Sequence, residues 1–219
     1  MVMSSEIEDT YGLLIKLIRE RRSIRRFKPM VPEKELFSKM IEAARFAPSA
    51  TNFQPWKFFV ITNPEVKDRM ADAVSDKLNS LEDTHTARAV GGAESVKTFG
   101  REYFLFFRNA PAVIAAIFKP YPAAASLGYR SNADSEEKMR MLGIESTSAA
   151  VQNMLLAAHA LGLGACWLDG PLTARKELEE LLSVKEPWEL MCLLAVGYPE
   201  NLPPPVRRKK PGAISRFIE

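Results

Sequence analysis

Arg21, Arg22, Ser23 and Arg25 crowd three guanidinium groups and a hydroxyl into five positions of the run RRSIRRFK. A phosphomonoester carries close to two negative charges, and taking it out of water requires fixed positive charge and forked hydrogen-bond donors. This run could supply both. Residues 19–28 hold six basic side chains and one acid, and residues 205–219 hold five and one. Setting those eleven bases and two acids aside leaves 19 bases against 25 acids in the rest of the chain. Two focused basic segments on an acidic body fit a local anion site better than nucleic-acid binding, which uses a broad basic face. A pair of solvated charge runs is the alternative reading.

Other stretches could meet a ligand. PSATNFQP, residues 48–55, sets two prolines, a serine and two amides in a segment with neither helical nor strand period, a way to present backbone donors to a flat polar ring. An ordinary connecting loop is the alternative. Leu161 to Gly170 (LGLGACWLDG) has glycines where a chain can approach a ligand closely, but no strand precedes them, so it is not the dinucleotide fingerprint. Ser146, Thr147 and Ser148 could face a pocket, and a helix cap explains them as well. His85 and His159 have no companions at metal-ligand spacing, and no nucleophile elbow exists, so neither a metal site nor a hydrolytic triad is expected. Cys166 and Cys192 lie in apolar segments without a CxxC spacing and read as buried, reduced side chains.

Elements that could position these residues follow from periodicity. Leu13, Leu14, Leu17 and Ile18 predict a short helix after Thr10 that delivers the arginines into a turn. A second helix is expected from Pro32, with Leu36, Phe37, Met40, Ile41, Ala44 and Phe46 on its apolar face and Pro48 as its stop. Lys57 to Thr62 reads as a strand, and Asn63-Pro64 caps a helix carrying Val66, Met70, Ala73, Val74 and Leu78. Ser80 to Glu102 is polar and reads as an insertion or lid. Ala112 to Phe118 suits a strand covered on both faces, and Tyr121 to Met139 reads as loop. A long helix is expected from Glu145, ending at Leu161-Gly162-Leu163-Gly164, then a strand at ACWL, a helix capped by Thr173, and a buried strand from Leu190 to Val196. The PPPVRRKKP tail is extended.

The chain has 219 residues, 47% of them hydrophobic and 26% charged, enough for a substantial core and unlike a disordered, collagenous or disulfide-stapled chain. The alternation of helices around four apolar strands points to one α+β domain over 1–219, with a variable lid at about 80–144 and an extended tail at about 199–219. No apolar stretch suits a membrane span, and MVMSSEIEDT lacks the basic-then-apolar order of an export signal, so a cytoplasmic address is the expectation.

RRSIRRF at 21–27, APSATNFQPWKFFV at 47–60, LGLGACWLDGP at 161–171 and the ending VGYPENLPPPVRRKKP occur in the order seen in the nitroreductase family of flavoproteins, which the chain resembles over about 15–75 and 145–212. The resemblance implies a nitroreductase-like fold, with a central, mostly antiparallel sheet flanked by helices on both faces. It implies FMN as cofactor and NADH or NADPH as reductant. Arg21 and Ser23, with Arg22 beside them, would hold the phosphate and ribityl chain, and Arg25 would reach the pyrimidine edge, where a cation favours the reduced flavin's negative charge. Pro48, Ser49, Ala50 and Asn52 would line the flavin edge from the other subunit of a homodimer, while Gln54, Pro55 and Trp56 serve packing. Leu168, Asp169 and Gly170 would lie beside the reactive ring nitrogen and offer main-chain donors, with no acid catalysis by Asp169. Arg207 and Lys209, four and two residues before Pro211, would close over the phosphate, leaving Arg208 and Lys210 solvated.

The implied activity is ping-pong hydride transfer from NAD(P)H through FMN to a small organic acceptor such as a nitroaromatic or quinone, with no general acid–base residue assigned. Reductive dehalogenation of an aromatic such as an iodotyrosine is a rival on the same scaffold, with Glu102, Tyr103 and Lys119 as candidates for holding the amino-acid group. A redox sensor that binds FMN without turnover is another. No metal, membrane or nucleic-acid partner is expected.

Overall fold

The computed structural model describes residues 2–80, 93–122 and 133–219. Six α-helices occur among them: α1 (Val2–Glu20), α2 (Lys34–Arg45), α3 (Pro64–Asn79), α4 (Ala93–Phe104), α5 (Ala133–Ala160) and α6 (Arg175–Leu181). The strands are β1 (Trp56–Ile61), β2 (Ala112–Phe118), β3 (Gly164–Leu168) and β4 (Glu189–Gly197), ordered β1-β2-β4-β3 in one antiparallel sheet.

Apolar pattern explains the layers. Every residue of β2 is buried, because side chains of both parities meet a covering layer. Ala112, Ile114, Ala116 and Phe118 pack with α2 and α5 through Phe37, Met40, Val151 and Met154. Val113, Ala115 and Ile117 face α3 and α6 through Met70, Val74 and Leu178. β4 repeats the arrangement, with one irregularity opposite Ala116 and Ile117, where the pairing steps from Cys192 to Leu190. Met191 is the extra residue, and both Met191 and Cys192 consequently join the α2/α5 side.

Local chemistry sets several boundaries. Asn63 Oδ1 accepts from the Glu65 N–H at 2.9 Å, and Pro64 fills the first turn of α3, as the sequence implies. Helix α2 starts at Lys34 rather than Pro32. Phe46, expected on its apolar face, lies past the last turn and is 70% exposed. Helix α1 runs back to Val2, well before Thr10.

Two segments in which the sequence predicts no helix contain one. The segment from Ser80 to Glu102 contains most of α4, while residues 81–92, with Gly91-Gly92 and His85, lie outside the described residues. Tyr121 to Met139 is not all loop, since α5 begins at Ala133 and residues 123–132 lie outside the described set. Ser146, Thr147 and Ser148 therefore sit inside a helix and cap nothing; Ser146 Oγ donates back to the Leu142 carbonyl at 2.8 Å, a bond available only mid-helix. Thr173 likewise falls within a 3₁₀ turn (Gly170–Ala174), and Ala174 precedes α6.

Candidate functional site

Helix α1 ends at Glu20, and the chain then turns along the open edge of β3. Ser23 forms a parallel bridge with Ala165, and the Ile24 N–H donates to the Ala165 carbonyl at 3.1 Å. Gly164 makes this approach possible, because a Cβ there would come within 2.7 Å of Ile24 Cβ. Four residues after Ile24, the Lys28 N–H donates to the Tyr198 carbonyl at 2.8 Å, and the Glu200 N–H donates to the Arg26 carbonyl at 3.2 Å. These bonds seat the start of the C-terminal tail against the arginine run, so the two basic segments, far apart in sequence, meet.

Between them lies a cavity of about 480 Å³ lined by Ile18, Arg19, Arg21, Arg22, Ser23, Arg25, Pro203, Pro205, Val206 and Arg208. Five of these are arginines and none is an acid, so the cavity is a fixed concentration of positive charge. Its guanidiniums are not equivalent. Arg22 Nη1 donates to the carbonyls of Arg19 at 2.6 Å and Arg21 at 3.0 Å, closing the end of α1, while its buried Nε has no partner among the described residues. Arg25 stands over the Tyr103 ring, 5.8 Å from its centroid. On β3, burial pushes the Cys166 thiol up, opposed by the Arg25 charge, a hydrogen bond with Ser23 and the Arg21 charge. Burial also raises the Cys192 thiol, with Asp169 adding to the shift, and both cysteines are free and buried.

Leu168, Asp169 and Gly170 lie at the end of β3, beyond the cavity lining. Leu168 is buried, and the exposed Asp169 has its Oδ1 occupied by Trp167 Nε1 at 2.7 Å. Gly170 lies against Phe104 of α4, whose ring stands edge-on to Phe99, itself stacked on Tyr103 at 4.4 Å.

Pro48, Ser49, Ala50 and Asn52 do not line the cavity. They belong to a loop on the α5 side of the sheet, where Ser49 Oγ accepts from the Gln54 N–H at 3.0 Å and Thr51, Asn52 and Gln54 all have positive φ, near 50°. Pro55 is buried and Trp56 packs on the core, whereas Gln54 is exposed and donates to the Asn52 carbonyl. Arg207, Arg208 and Lys209 are all exposed, and among these basic tail residues the one that lines the cavity is Arg208.

Sequence reasoning missed Arg19, Arg208 and the apolar walls from Ile18, Pro203, Pro205 and Val206. The available signal was period 2: in an extended tail Val206 and Arg208 share one side, opposite Arg207 and Lys209. Of the lid candidates, Tyr103 packs with Phe99 and Arg25, whereas Lys119 lies over the rings of Phe53 and Trp188, so the two belong to different clusters. No helix among the described residues is long and apolar enough to cross a membrane, and no cluster of metal-binding side chains occurs among them.

Comparisons with known proteins agree with this fold. A protein of Archaeoglobus fulgidus named "Putative NADH dehydrogenase/NAD(P)H nitroreductase" is 30% identical over 193 residues, covering 85% of this chain and 86% of that protein. The structure of a BluB-like flavoprotein from Clostridium difficile 630 superposes with a TM-score of 0.80 at 29% identity, over 94% of this chain and 99% of that one. A nitroreductase with bound FMN from Desulfitobacterium hafniense DCB-2 shares the fold at a TM-score of 0.71 and 23% identity, over 94% and 97% of the two chains. The model of the nitroreductase family matches residues 18–198, from the last turn of α1 to the residue after β4, and the chain belongs to that family.

Proposed function

We infer that the protein is an NAD(P)H-dependent FMN oxidoreductase, and the observation that carries this reading is the acid-free cavity with Arg21, Ser23, Arg25 and Arg208 on its wall. The residues fit the cofactor. A phosphate dianion needs several guanidinium donors, a ribityl chain needs hydroxyl and main-chain partners, and the unpartnered Nε of Arg22 is a buried donor in the cavity wall. The family membership, the flavoprotein from C. difficile and the NAD(P)H in the A. fulgidus protein's name support the same assignment.

When bound, FMN supplies ping-pong hydride chemistry between a nicotinamide donor and an organic acceptor such as a nitroaromatic or quinone. Arg21 and Arg208 neutralise the phosphate, and Ser23 donates to the phosphate or the ribityl chain. Arg25 sets a positive charge at the pyrimidine edge and favours the reduced state. Main-chain groups of Leu168, Asp169 and Gly170 would serve as donors to the flavin ring. Asp169, already bonded to Trp167, orients that turn and transfers no proton.

A homodimer completes the site in this reading. Two features support it: Pro48, Ser49, Ala50 and Asn52 lie away from their own chain's cavity, and α1 and the tail expose Tyr11, Leu13, Ile214, Phe217 and Ile218. Dehalogenation of a halotyrosine gains no support from Tyr103 and Lys119, which lie in separate clusters.

The test is a visible absorbance spectrum of the purified protein, followed by anaerobic NADH and then NADPH. A yellow protein bleached by either donor is the expected result. A colourless protein that takes up no added FMN overturns the reading, and a yellow protein bleached by neither donor turns it into a sensor or an enzyme with another reductant. Light scattering on the same sample should return the mass of two chains.

A further inference from the structure

Three non-glycine residues within four positions, Thr51 (φ 53°), Asn52 (φ 55°) and Gln54 (φ 50°), hold the left-handed backbone region. Such a run costs free energy at each residue and persists only where its surroundings over-determine it. The surroundings here converge on Tyr121. This tyrosine is 5% exposed, and its hydroxyl donates to the Ala50 carbonyl at 2.9 Å, at the root of the strained run. Its ring packs on Phe53 with centroids 4.6 Å apart, and the opposing contact to Phe53 is the Lys119 ammonium at 4.5 Å. The Lys119 N–H donates to the Pro55 carbonyl at 2.9 Å and the Tyr121 N–H to the Met139 carbonyl at 3.2 Å.

Proton accounting fixes the direction of the network. Ser146 Oγ lies 2.8 Å from the Leu142 carbonyl and 3.3 Å from the Tyr121 hydroxyl. Tyr121 has one proton, which goes to the Ala50 carbonyl, and Ser146 has one, which goes to the nearer Leu142 carbonyl, so the Ser146–Tyr121 approach is a contact between two hydroxyls whose protons are already placed. Gly143 makes the arrangement possible, because a Cβ there would meet the Lys119 carbonyl at 2.7 Å; one helical turn later, α5 presents Ser146.

We propose that Tyr121 is a positioning residue for the loop that carries Ser49, Ala50 and Asn52, holding it in the conformation that meets the edge of the flavin. The proposal rests on the flavin reading for its purpose, though not for its geometry. It concerns a residue that touches no phosphate donor, and it makes the preorganisation of the loop a property of the apoprotein.

The test compares wild type with Tyr121→Phe, Ser146→Ala and Arg21→Ala in two measurements: amide hydrogen exchange of the apoprotein, and FMN affinity by fluorescence titration. Tyr121→Phe keeps the ring against Phe53 and removes only the hydroxyl. It should speed exchange at Asn52 and Phe53 and weaken FMN binding, each by roughly fivefold, the equivalent of one ordinary hydrogen bond, while amides of β2 and β4 are unchanged. Ser146→Ala should have a smaller effect. Arg21→Ala should weaken FMN binding with loop exchange unaltered. Equal exchange rates in wild type and Tyr121→Phe, or faster exchange spread evenly over the whole chain with unchanged FMN affinity, would overturn the proposal. A wild-type protein that binds no FMN sinks the flavin reading instead, and the exchange comparison still judges the clamp.

Discussion

The ring of Phe104 occupies the space that a side chain at Gly170 would need, since a Cβ built there would fall 2.0 Å from Phe104 Cδ1. This contact ties α4 to the turn after β3, where Asp169 and Gly170 present their main chain. Gly170→Ala should destabilise the protein by about 1–3 kcal/mol, the usual cost of overpacking. Phe104→Ala opens the space, so the double variant should lose less than the sum of the two singles in urea unfolding. Strict additivity would mean that the two residues do not meet in solution.

Arg22 and Arg21 are neighbours with different tasks. Arg22→Ala removes the donor that closes α1 on the carbonyls of Arg19 and Arg21, and should cost about 1 kcal/mol of stability. Arg21→Ala leaves that closure intact and should instead weaken FMN retention by about 1.5–3 kcal/mol, the worth of a charged hydrogen bond. Thermal unfolding and cofactor content, measured on both variants, separate the roles; a swap of the two effects would reverse the assignment.

Thr51 is β-branched and holds φ 53°, where a Cβ crowds the following carbonyl. Thr51→Gly relieves that crowding at the cost of a more flexible unfolded chain, for a net stabilisation of about 0.5–1 kcal/mol. The unfolding midpoint should rise, and a fall would indicate that the threonine side chain makes contacts in solution that outweigh the strain.

Lys67 is 6% exposed, with Nζ donating to the Ala110 carbonyl at 2.5 Å. Burial lowers its pKa from the ordinary 10.5, with the nearby Asp68 charge opposing the shift. Between that lowered value and 10.5 the unfolded chain binds more protons than the folded one, so this group's contribution to stability increases with pH across the window. Lys67→Met removes the dependence. The stability difference between wild type and variant should therefore move in favour of wild type as pH rises from neutral toward 10.5, and a flat difference would place the ammonium in water.

Much of this architecture was legible in sequence because its signals are local. The runs AVIAAIF and LMCLLAV report strands buried on both faces, and Asn63-Pro64 marks the start of α3 by its own side chain and ring. The first turns of α5 were not legible, because a distant partner helps to hold them: Arg140 grips Glu189 of β4 in a two-oxygen ion pair at 2.8–3.2 Å and stands over the Phe118 ring. Nothing within residues 133–144 announces that partner. The phase of the tail was hidden for a related reason. Alternation says that Arg207 and Lys209 share a side, but which side meets the cavity depends on bonds made at Tyr198 and Glu200. Arg22 reads as a phosphate ligand until the end of α1 is located, after which its shortest hydrogen bond is to the Arg19 carbonyl.

Ser23 and Ile24 also cover part of a border of the sheet, at Ala165 of β3. Without them, β3 would offer unpaired main-chain groups to any other extended chain, the usual starting point for aggregation. Ser23, on the wall of the cavity, therefore also guards solubility. An engineer who rewrites RRSIRRF to change ligand preference risks exposing a sticky seam, and inclusion bodies from such a variant would report the loss of a border as readily as the loss of a ligand.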